Sequence, residues 1–421
     1  MARPGRVLLV DNSRTFSMVI AAALTDRLEI EVTIADSLGA AARVLDDETG
    51  CDNVVLVISG LVLPDAKESE IVAFFTGRDL PLVVLTGTFD TASRERILSH
   101  PVIDYVLKDN PSSIDYVVWL VRRIWRNRDM TALVVDHTPS DRAMLSGLLH
   151  LYGFTVLEAE DGTQGLTIAE TTPRLDLVVT DYEMPGLDGI QLVRRLRIRH
   201  PRDRLAIIGL SSSTGAISAQ FIKNGANDYL NKAFQPEELF CRIAQNVENI
   251  ENIASLHALA TTDPLTGLRN RRSFFELAQS RFRTLTQSGR PVAVAMIDVD
   301  HFKRINDGWG HDCGDRVLIE LARVLAETTL DGDVVGRLGG EEFCLLAADL
   351  DETSDFFDSL RRTVAALSPR FGDETLHVTI SIGVCVRAGD GRADSLRALL
   401  TAADRALYNA KRLGRNRVEY A

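Results

Sequence analysis

Short apolar runs alternate with helix-like segments over the first 250 residues of the chain. The runs VLLVD at 7–11 and ALVVD at 132–136 each end in an acid, and a similar cycle of apolar runs follows each of them. Apolar strands that alternate with helices are typical of a doubly wound parallel sheet. The pattern therefore predicts two such units, at residues 1–128 and 129–250. Ligands of this fold bind beyond the carboxyl ends of the strands, so the strand-end residues are the candidates for chemistry.

The pattern changes after Pro236. Residues 236–262 contain no glycine and no internal proline, and the apolar residues from Ile243 to Ala254 are spaced by four, three and four. This spacing predicts one long helix with an apolar stripe. The helix is expected to finish the second unit and to continue as a stalk. The stalk either docks on its own domain or pairs with another subunit in a coiled coil.

Residues 263–421 mix strands and helices in a different way. Strands are predicted at 291–299, 333–338, 343–348 and 377–386, and helices at 314–329 and 395–414. This mixture indicates an α+β domain. The sequence as a whole therefore predicts a multidomain α/β protein.

Composition limits the possible functions of the chain. Of its 421 residues, 45% are hydrophobic and 25% are charged, and the net charge is −12. An acidic balance disfavours a nucleic-acid or anionic-membrane surface, and no apolar run reaches the roughly 18 residues that suggest a transmembrane helix. The five cysteines include no CxxC pair, which argues against a disulfide framework or a zinc site. These features predict a cytoplasmic protein that neither inserts into membranes nor binds nucleic acid.

Carboxylates gather at two places in the third domain. Asp298 and Asp300 follow an apolar strand, and RLGGEEF at 337–343 lies between two apolar runs. If the strand that ends at Asp298 lies beside a hairpin at the two glycines, Asp298 and Glu341 can share a divalent ion. The other carboxylate, Asp300, can anchor a neighbouring loop. Taken alone, two glycines followed by two acids are more often a solvated hairpin.

Five segments of this domain resemble the GGDEF family of diguanylate cyclases. They are DPLTGLRNRR (263–272), DVDHFKRINDGWGHDCGD (298–315), RLGGEEF (337–343), SIGV (381–384) and ADRALYNAKRLGRNRV (403–418). They match in order and spacing across nearly all of 263–421. The whole chain resembles the PleD-like architecture, in which two receiver domains precede a GGDEF domain.

The resemblance implies that two GTP molecules condense to cyclic di-GMP and two pyrophosphates between the facing domains of a homodimer. The implied metal ligands for Mg²⁺ or Mn²⁺ are Asp298, Glu341 and the Val299 carbonyl. The implied catalytic residues are Glu342, as the base for the hydroxyl, and Lys303. Asn306 and Asp315 would read guanine, because an aspartate accepts from guanine N1 and N2. The triphosphate would be held by Lys303, Lys411 and Arg415, the last two on one face of a helix.

One departure from the family concerns product inhibition. Many members carry an RxxD site ending five residues before the first glycine of the GGEEF turn. Here that stretch is LDGD, with Leu330 in place of the arginine and Asp333 retained. Leucine cannot make the bidentate contact of an arginine. No inhibitory product site is therefore expected.

The second unit resembles a response-regulator receiver. Asp181 is the expected phosphorylation site, and the other expected site residues are Asp136, Ser211 and Lys232, with Tyr229 as a switch aromatic. The resemblance implies Mg²⁺ at this site and an upstream histidine kinase or phosphotransfer protein. The second acid of the usual pair is His137, and imidazole is a poor magnesium ligand. Glu183 is our hypothesis for the missing carboxylate.

The first unit is predicted to be a degenerate receiver. It retains the strand-end residues Asp11, Thr86 and Lys108 and the aromatic Tyr105. Gly60 stands where the second unit has its acceptor aspartate, and glycine cannot accept a phosphoryl group. Ser59 and Asp65 are nearby but out of register. The first unit is therefore expected to serve as an adaptor or dimerisation module.

The sequence favours a response-regulator diguanylate cyclase that is regulated by phosphorylation and dimerisation. A catalytically inactive GTP or cyclic di-GMP sensor with receiver input is the alternative. A cyclase that makes another dinucleotide is a further alternative, which Asp315 argues against. A DNA-binding response regulator would need a basic recognition helix, and the sequence contains none.

Overall fold

A computed structural model of the chain describes residues 5–47, 53–87, 96–97, 100–108, 111–212, 216–330, 332–350, 355–367, 370–371, 374–387 and 395–421. The chain divides into two compact units, Met1–Ala254 and Ser255–Ala421. Among the described residues no disulfide is formed by Cys241, Cys313, Cys344 or Cys385, and Cys51 lies outside the described residues.

The first unit opens with a five-stranded parallel sheet in the order β2-β1-β3-β4-β5. The strands are β1 (Arg6–Val10), β2 (Glu31–Ala35), β3 (Val54–Gly60), β4 (Leu82–Thr86) and β5 (Asp104–Leu107). The described helices around it are α1 (Arg14–Leu28), α2 (Leu38–Asp46), α3 (Glu68–Thr76) and α4 (Pro111–Asn127). Strand β4 is buried along its whole length, as expected of an apolar strand covered by helices on both faces.

A second five-stranded parallel sheet follows in the same unit, in the order β10-β9-β8-β6-β7. Its strands are β6 (Thr131–Val135), β7 (Thr155–Ala159), β8 (Leu177–Asp181), β9 (Ala206–Ser211) and β10 (Asp228–Asn231). Its helices are α5 (Pro139–Leu151), α6 (Gly162–Thr171), α7 (Gly189–Arg199), α8 (Ala216–Asn224) and α9 (Pro236–Thr261). The two sheets confirm the predicted doubly wound fold.

The two parallel sheets share one hydrophobic core. It contains buried residues of α1 and α4 beside the first sheet and of α5 and α9 beside the second. Near its centre the ring of Tyr152 stacks on that of Phe240, with ring centroids 4.5 Å apart. Helix α4 therefore packs within the same core as α9, the helix that leaves the second sheet.

Helix α9 runs for 26 residues, as the apolar spacing predicts. Its first half is buried at Leu239, Ile243 and Val247. Leu256 and Leu259, in its last turns, are 64% and 71% exposed. The helix thus completes the core of the second sheet and then presents an apolar surface to solvent.

The second unit is built on a mixed sheet in the order β12-β13-β11-β16-β17. Its strands are β11 (Val292–Val299), β12 (Val334–Gly339), β13 (Glu342–Ala348), β16 (Ile380–Arg387) and β17 (Val418–Tyr420). A separate pair is formed by β14 (Arg370–Phe371) and β15 (Glu374–Thr375). The described helices are α10 (Arg271–Gln287), α11 (Phe302–Trp309), α12 (His311–Thr328), α13 (Phe356–Ala366) and α14 (Leu396–Arg412). This arrangement confirms the predicted α+β class.

Side-chain alternation along β11 decides which helices its residues meet. Ala293, Ala295 and Ile297 pack in the core that contains residues of α11, α12 and α13. Val294 and Met296 pack in the other core, with residues of α10 and α14. Because successive strand residues point to opposite faces, the Asp298 side chain falls on the face of α14.

The described residues include no helix that combines the length and the apolar content needed to cross a bilayer.

Candidate functional site

The end of β11 lies beside the start of β13. The two strands are antiparallel, with Asp298 opposite Glu342, and the Val299 amide donates to the Glu341 carbonyl oxygen at 3.4 Å. The strand that ends at Asp298 is therefore the neighbour of the glycine hairpin, as the metal-site hypothesis requires. Glu341 is partly exposed and Glu342 is exposed.

The two glycines form a turn that other residues would strain. Gly339 has a φ of 142° and Gly340 a φ of 55°, and nothing lies within 4 Å of where a Cβ would stand on either. Arg337 holds this turn, because its Nε and Nη2 donate to the Gly340 carbonyl oxygen at 3.0 and 2.8 Å. Its Nη1 donates to Asp263 Oδ1 at 2.9 Å. The sequence motif contains Arg337 and Asp263, but their pairing becomes visible only in the fold.

Asp298 is buried and paired with a lysine. It is 5% exposed, and its Oδ2 lies 2.7 Å from the Nζ of Lys411. Burial raises the pKa of Asp298, the Lys411 ammonium opposes this, and the charges of Glu341 and Glu342 raise it further. Asp298, Glu341 and Glu342 therefore carry more negative charge than Lys411 neutralises. This excess charge favours the binding of a cation.

Asp300 performs a structural task nearby. Its Oδ1 accepts from the Ser381 hydroxyl and its Oδ2 from the Thr379 hydroxyl, both at 2.7 Å. Its Oδ2 also accepts from the Asn416 amide at 2.9 Å. Asp300 thus anchors the loop after α14, as expected of one of the two carboxylates, and the metal-binding role of Asp298 stays a prediction.

The expectation that Lys411 and Arg415 share a helical face is wrong. Helix α14 ends at Arg412, and Gly414 follows with a φ of 119°. Arg415 itself has a φ of 64°, and its amide donates to the Ala410 carbonyl oxygen at 3.0 Å. A left-handed glycine is a common helix terminator, so Arg415 lies in the turn that follows the helix.

The predicted guanine-reading residues lie on two consecutive helices. Asn306 is on α11 and Asp315, which is exposed, is on α12. Gly314 leaves space for the Asn306 side chain, since a Cβ there would overlap Asn306 Oδ1. That Oδ1 is buried and has no hydrogen-bond partner among the described residues. Such an acceptor is suited to a ligand that brings its own N–H donors. Lys303, on α11, is exposed.

A second cluster lies at the carboxyl ends of β6, β8 and β10. Lys232 Nζ lies 2.9 Å from Asp136 Oδ2 and 3.1 Å from Asp181 Oδ1. It also lies 3.1 Å from Asp141 Oδ2 of α5, a partner that the sequence analysis did not identify. Ser211 is buried at the end of β9. The strand-end residues of the second parallel sheet therefore converge on one site.

Burial and charge act against each other in this cluster. Burial raises the pKa of Asp181, and the Lys232 ammonium opposes it. Burial lowers the pKa of Lys232, but hydrogen bonds to Asp136 and Asp141 outweigh this and the pKa is raised. Lys232 is therefore a permanent cation beside the carboxylates.

His137 joins the cluster from the loop after β6. Its Nδ1 lies 3.2 Å from Asp181 Oδ2 and 3.9 Å from Asp136 Oδ1. The ligand atoms of these three residues lie within 4.8 Å of one another. Glu183 is exposed and is not a member of this group of three. Tyr229 is half-buried on β10, with its hydroxyl 3.5 Å from the Ser211 carbonyl oxygen.

The carboxyl ends of the strands in the first sheet carry a different set of side chains. Lys108 forms a direct ion pair with Asp11. A Cβ on Gly60 would overlap Asp11 Oδ2 and would lie 3.2 Å from Lys108 Nζ. Asp65 faces the start of α2, where it accepts from the amides of Leu38 and Gly39 at 2.9 and 2.8 Å.

Three further candidate residues of the first sheet lie on its neighbouring strands. The Ser59 hydroxyl donates to the Gly60 carbonyl oxygen. Thr86 ends β4 and is buried, and Tyr105 is half-buried on β5. A side chain at position 60 would therefore have to displace the pair of Asp11 and Lys108.

Leu330 and Asp333 form a short turn on the surface of the second unit. Leu330 is 76% exposed, and its amide donates to Asp333 Oδ2 at 2.9 Å. Asp333 Oδ1 accepts from the Ala348 amide at the same distance. Both oxygens of Asp333 are thus used within the protein.

Comparison with known proteins identifies relatives of both units. Residues 260–417 match the diguanylate cyclase GGDEF domain family, and residues 132–244 match the response regulator receiver domain family. The response regulator PleD of Caulobacter vibrioides is 28% identical over 98% of this chain and 98% of its own length. Diguanylate cyclase DgcP of Pseudomonas aeruginosa is 40% identical over 38% of this chain and 24% of its own length. A crystal structure of a two-component system response regulator/GGDEF domain protein is 38% identical, with a TM-score of 0.51, over 59% of this chain and 99% of that chain.

Proposed function

This chain belongs to the response regulators that carry a GGDEF diguanylate cyclase domain, and from that premise we propose that it condenses two GTP into cyclic di-GMP and two pyrophosphates. The proposed domains are a degenerate receiver (1–128), a phosphorylatable receiver (129–250), a stalk (236–262) and the cyclase (263–421). The observation that carries the proposal is the position of Asp298, Glu341 and Glu342 on adjacent strand ends, with Lys411 2.7 Å from Asp298.

The cyclase donors suit the Mg²⁺ that GGDEF cyclases generally use. Asp298, Glu341 and the Val299 carbonyl offer only oxygen atoms, which both Mg²⁺ and Mn²⁺ prefer. The raised pKa of the buried Asp298 fits a group that is stabilised by an added positive charge. When bound, such an ion withdraws charge from the phosphoryl oxygens of the nucleotide.

The protein's own side chains bind and orient the nucleotide. Lys303, Lys411 and Arg415 are the proposed partners of the triphosphate, and Asn306 and Asp315 of the guanine base. The acceptor Asn306 Oδ1 has no hydrogen-bond partner in the described part of the chain, and guanine N1–H and N2–H can donate to it. Adenine lacks an N1–H, so this pair favours GTP over ATP.

The proposed reaction is an in-line displacement at phosphorus, performed twice. The 3′-oxygen of one GTP attacks the α-phosphorus of the other, a phosphorus–oxygen bond forms, and the bond to pyrophosphate breaks. Glu342, exposed beside Asp298, accepts the proton of the attacking hydroxyl. Since each domain would hold one GTP, two domains must face each other, and the proposed active species is a homodimer.

The proposed switch is phosphorylation of Asp181 by an upstream histidine kinase or phosphotransfer protein. Lys232, which already contacts Asp181, would pair with the new phosphoryl group. Phosphorylation would then shift the population of dimers in which the cyclase domains meet. Glu183 remains a candidate carboxylate for this site, and Ser211 a candidate contact of the phosphoryl oxygens.

The test is turnover of GTP with Mg²⁺ by the full chain, with and without beryllofluoride as a phosphoryl mimic. We expect cyclic di-GMP, a rise with the mimic, and no rise in Asp181→Asn. In Glu342→Gln we expect a loss of turnover of about 10²-fold or more with GTP binding retained. GTP binding without product in the unaltered chain would instead favour an inactive GTP or cyclic di-GMP sensor.

We also propose that the 330–333 turn gives weak or no product inhibition. The side chain of Leu330 offers no hydrogen bond, and Asp333 already accepts hydrogen bonds from two backbone amides. Added cyclic di-GMP should therefore leave the rate nearly unchanged, and Leu330→Arg should introduce inhibition by supplying a guanidinium. Tight feedback in the unaltered chain that Asp333→Ala abolishes would contradict this.

A further inference from the structure

The histidine beside the proposed phosphorylation site suggests which ion that site binds. We propose that Asp136, His137 and Asp181 bind a divalent first-row transition metal ion, such as Mn²⁺, in preference to Mg²⁺. The proposal rests on the proposed receiver function of this sheet. Its geometric basis is the group of three ligand atoms within 4.8 Å of one another.

The two carboxylates each divide their oxygens between two neighbours. Asp136 Oδ2 and Asp181 Oδ1 contact Lys232 Nζ, whereas Asp136 Oδ1 and Asp181 Oδ2 are the oxygens nearest His137 Nδ1. A cation placed among the histidine-facing atoms would therefore leave the lysine contacts in place. The lysine partly balances the two buried carboxylates. Asp136 Oδ1 also accepts from the Thr138 amide at 2.8 Å, and a carboxylate oxygen has a second lone pair that can bind a cation.

Thr138 provides an acceptor for the ring tautomer that a metal ligand needs. Its Oγ1 lies 3.4 Å from His137 Nε2, on the side of the ring away from the carboxylates. A metal-binding histidine commonly donates its second ring N–H to an outer acceptor, which leaves the other nitrogen with its lone pair. In the tautomer whose Nε2–H donates to Thr138 Oγ1, the lone pair of Nδ1 faces Asp181 and is available to a cation.

The donor set disagrees with the Mg²⁺ that receiver domains imply. Mg²⁺ prefers oxygen ligands and binds imidazole poorly, whereas the affinity of a site that includes nitrogen rises along the divalent first-row ions from Mn²⁺ to Cu²⁺. Two neighbouring ligands, each about 2.1 Å from one ion, lie roughly 3 Å apart. The 3.2 Å between Nδ1 and Asp181 Oδ2 is close to that separation.

The first sheet provides an internal comparison. Asn12 follows Asp11 there, at the place where His137 follows Asp136, and Gly60 replaces the acceptor. Lys108 pairs directly with the one carboxylate that remains. Neither the imidazole nor the second carboxylate therefore has a counterpart in the first sheet.

The test is pulsed electron paramagnetic resonance of the full chain loaded with Mn²⁺ in the absence of nucleotide. A directly bound imidazole modulates the Mn²⁺ echo through its ¹⁴N nucleus, and the proposed cyclase site contains no imidazole. We expect this modulation in the unaltered chain and its loss in His137→Asp and in Asp136→Asn. His200→Asp, the same change at the end of α7, is the matched control and should retain the modulation.

Competition measures the preference between the two ions. In His137→Asp the site would have three carboxylates, so Mg²⁺ should displace Mn²⁺ from it at a concentration lower by at least about tenfold. Absence of the imidazole modulation in the unaltered chain, or its persistence in His137→Asp, would overturn the proposal. Beryllofluoride activation in Mg²⁺ without the modulation would leave the phosphorylation switch standing and remove only this inference. The imidazole modulation without any beryllofluoride response would support this inference and remove the phosphorylation switch.

Discussion

Gly60 stands where the second sheet has Asp181, and a Cβ there would overlap Asp11 Oδ2. We expect Gly60→Asp to destabilise the protein by about 1–3 kcal/mol, because the new Cβ would displace Asp11 and Lys108. It should not create a phosphorylation site. The measurements are urea unfolding and labelling by a small phosphodonor in the Asp181→Asn background. Gly60→Ala is the control, since it adds the Cβ without the charge, and labelling of the aspartate variant would contradict the prediction.

Lys411 is predicted to serve both Asp298 and the nucleotide. A charge-assisted hydrogen bond contributes about 1.5–3 kcal/mol, so Lys411→Met should weaken GTP binding by roughly tenfold or more. Arg412→Met is the matched control, because Arg412 is the next cation along the helix, is exposed and lies over the Tyr408 ring. Titration of nucleotide binding by both variants checks the prediction. Equal affinities in the two would remove Lys411 from the proposed phosphate site.

Residue roles could be predicted where they follow from local rules. Asp298 is at a strand end, and strand periodicity together with the glycine hairpin was enough to place it. The ion pairs of Asp141 and Arg337 could not be predicted, because they join residues that only the fold brings together. Arg415 was misplaced because helical spacing was extended past Gly414, although glycine is a strong helix terminator.

At the scale of elements, the contact of α4 with α9 is the feature that ties the first receiver to the helix leading towards the cyclase. Arg123 of α4 is 2% exposed, and its guanidinium donates to Glu251 of α9 at 2.8 and 3.1 Å. Its Nε donates to Asn127 Oδ1 at 2.8 Å. Removal of one partner of a buried ion pair costs about 3–5 kcal/mol. Because Glu251 is partly exposed, we expect about 2–3 kcal/mol for Arg123→Met, measured by urea unfolding.

Two further variants separate this pair from general helix packing. Arg126 also reaches Glu251, at 3.4 Å, but its side chain is largely exposed. Arg126→Met should therefore cost less than about 0.5 kcal/mol. The double variant Arg123→Met, Glu251→Leu should recover part of the loss, because no unpaired charge remains. If the double variant loses as much unfolding free energy as Arg123→Met and Glu251→Leu lose together, the two side chains do not interact.

Elements were predictable from sequence when they were long and periodic. The parallel strands and the 26-residue helix α9 carry apolar patterns that are easily recognised. Helix α11 has eight residues, of which only Phe302 and Ile305 are buried, and β17 has three residues. Such short elements form because the sheet and the neighbouring helices hold them. Their own sequences contain too few turns or alternations to predict them.

At the scale of the whole molecule, the two parallel sheets share one core, while only the second has an aspartate at the position that Gly60 occupies in the first. The core passes through α4 and α9, so a change at Asp181 acts on a body that includes the first sheet. The first sheet therefore need not bind phosphate to contribute to regulation. Its contribution would be to hold α9, the helix whose last turns expose Leu256 and Leu259.

Those two leucines allow the proposed homodimer to be tested separately from the chemistry. If the stalk pairs with its copy, Leu256→Glu, Leu259→Glu should lower the cyclase rate and the fraction of dimer at a fixed protein concentration, because like charges would meet on an apolar seam. GTP binding should be unchanged, since neither residue belongs to the proposed nucleotide site.

Ile198→Glu is the matched control, because Ile198 on α7 is 83% exposed and lies outside the stalk. A rate that recovers at high protein concentration would place the defect in assembly. A dimer fraction equal to that of the control would exclude pairing through these leucines and leave the receivers as the proposed dimer contact.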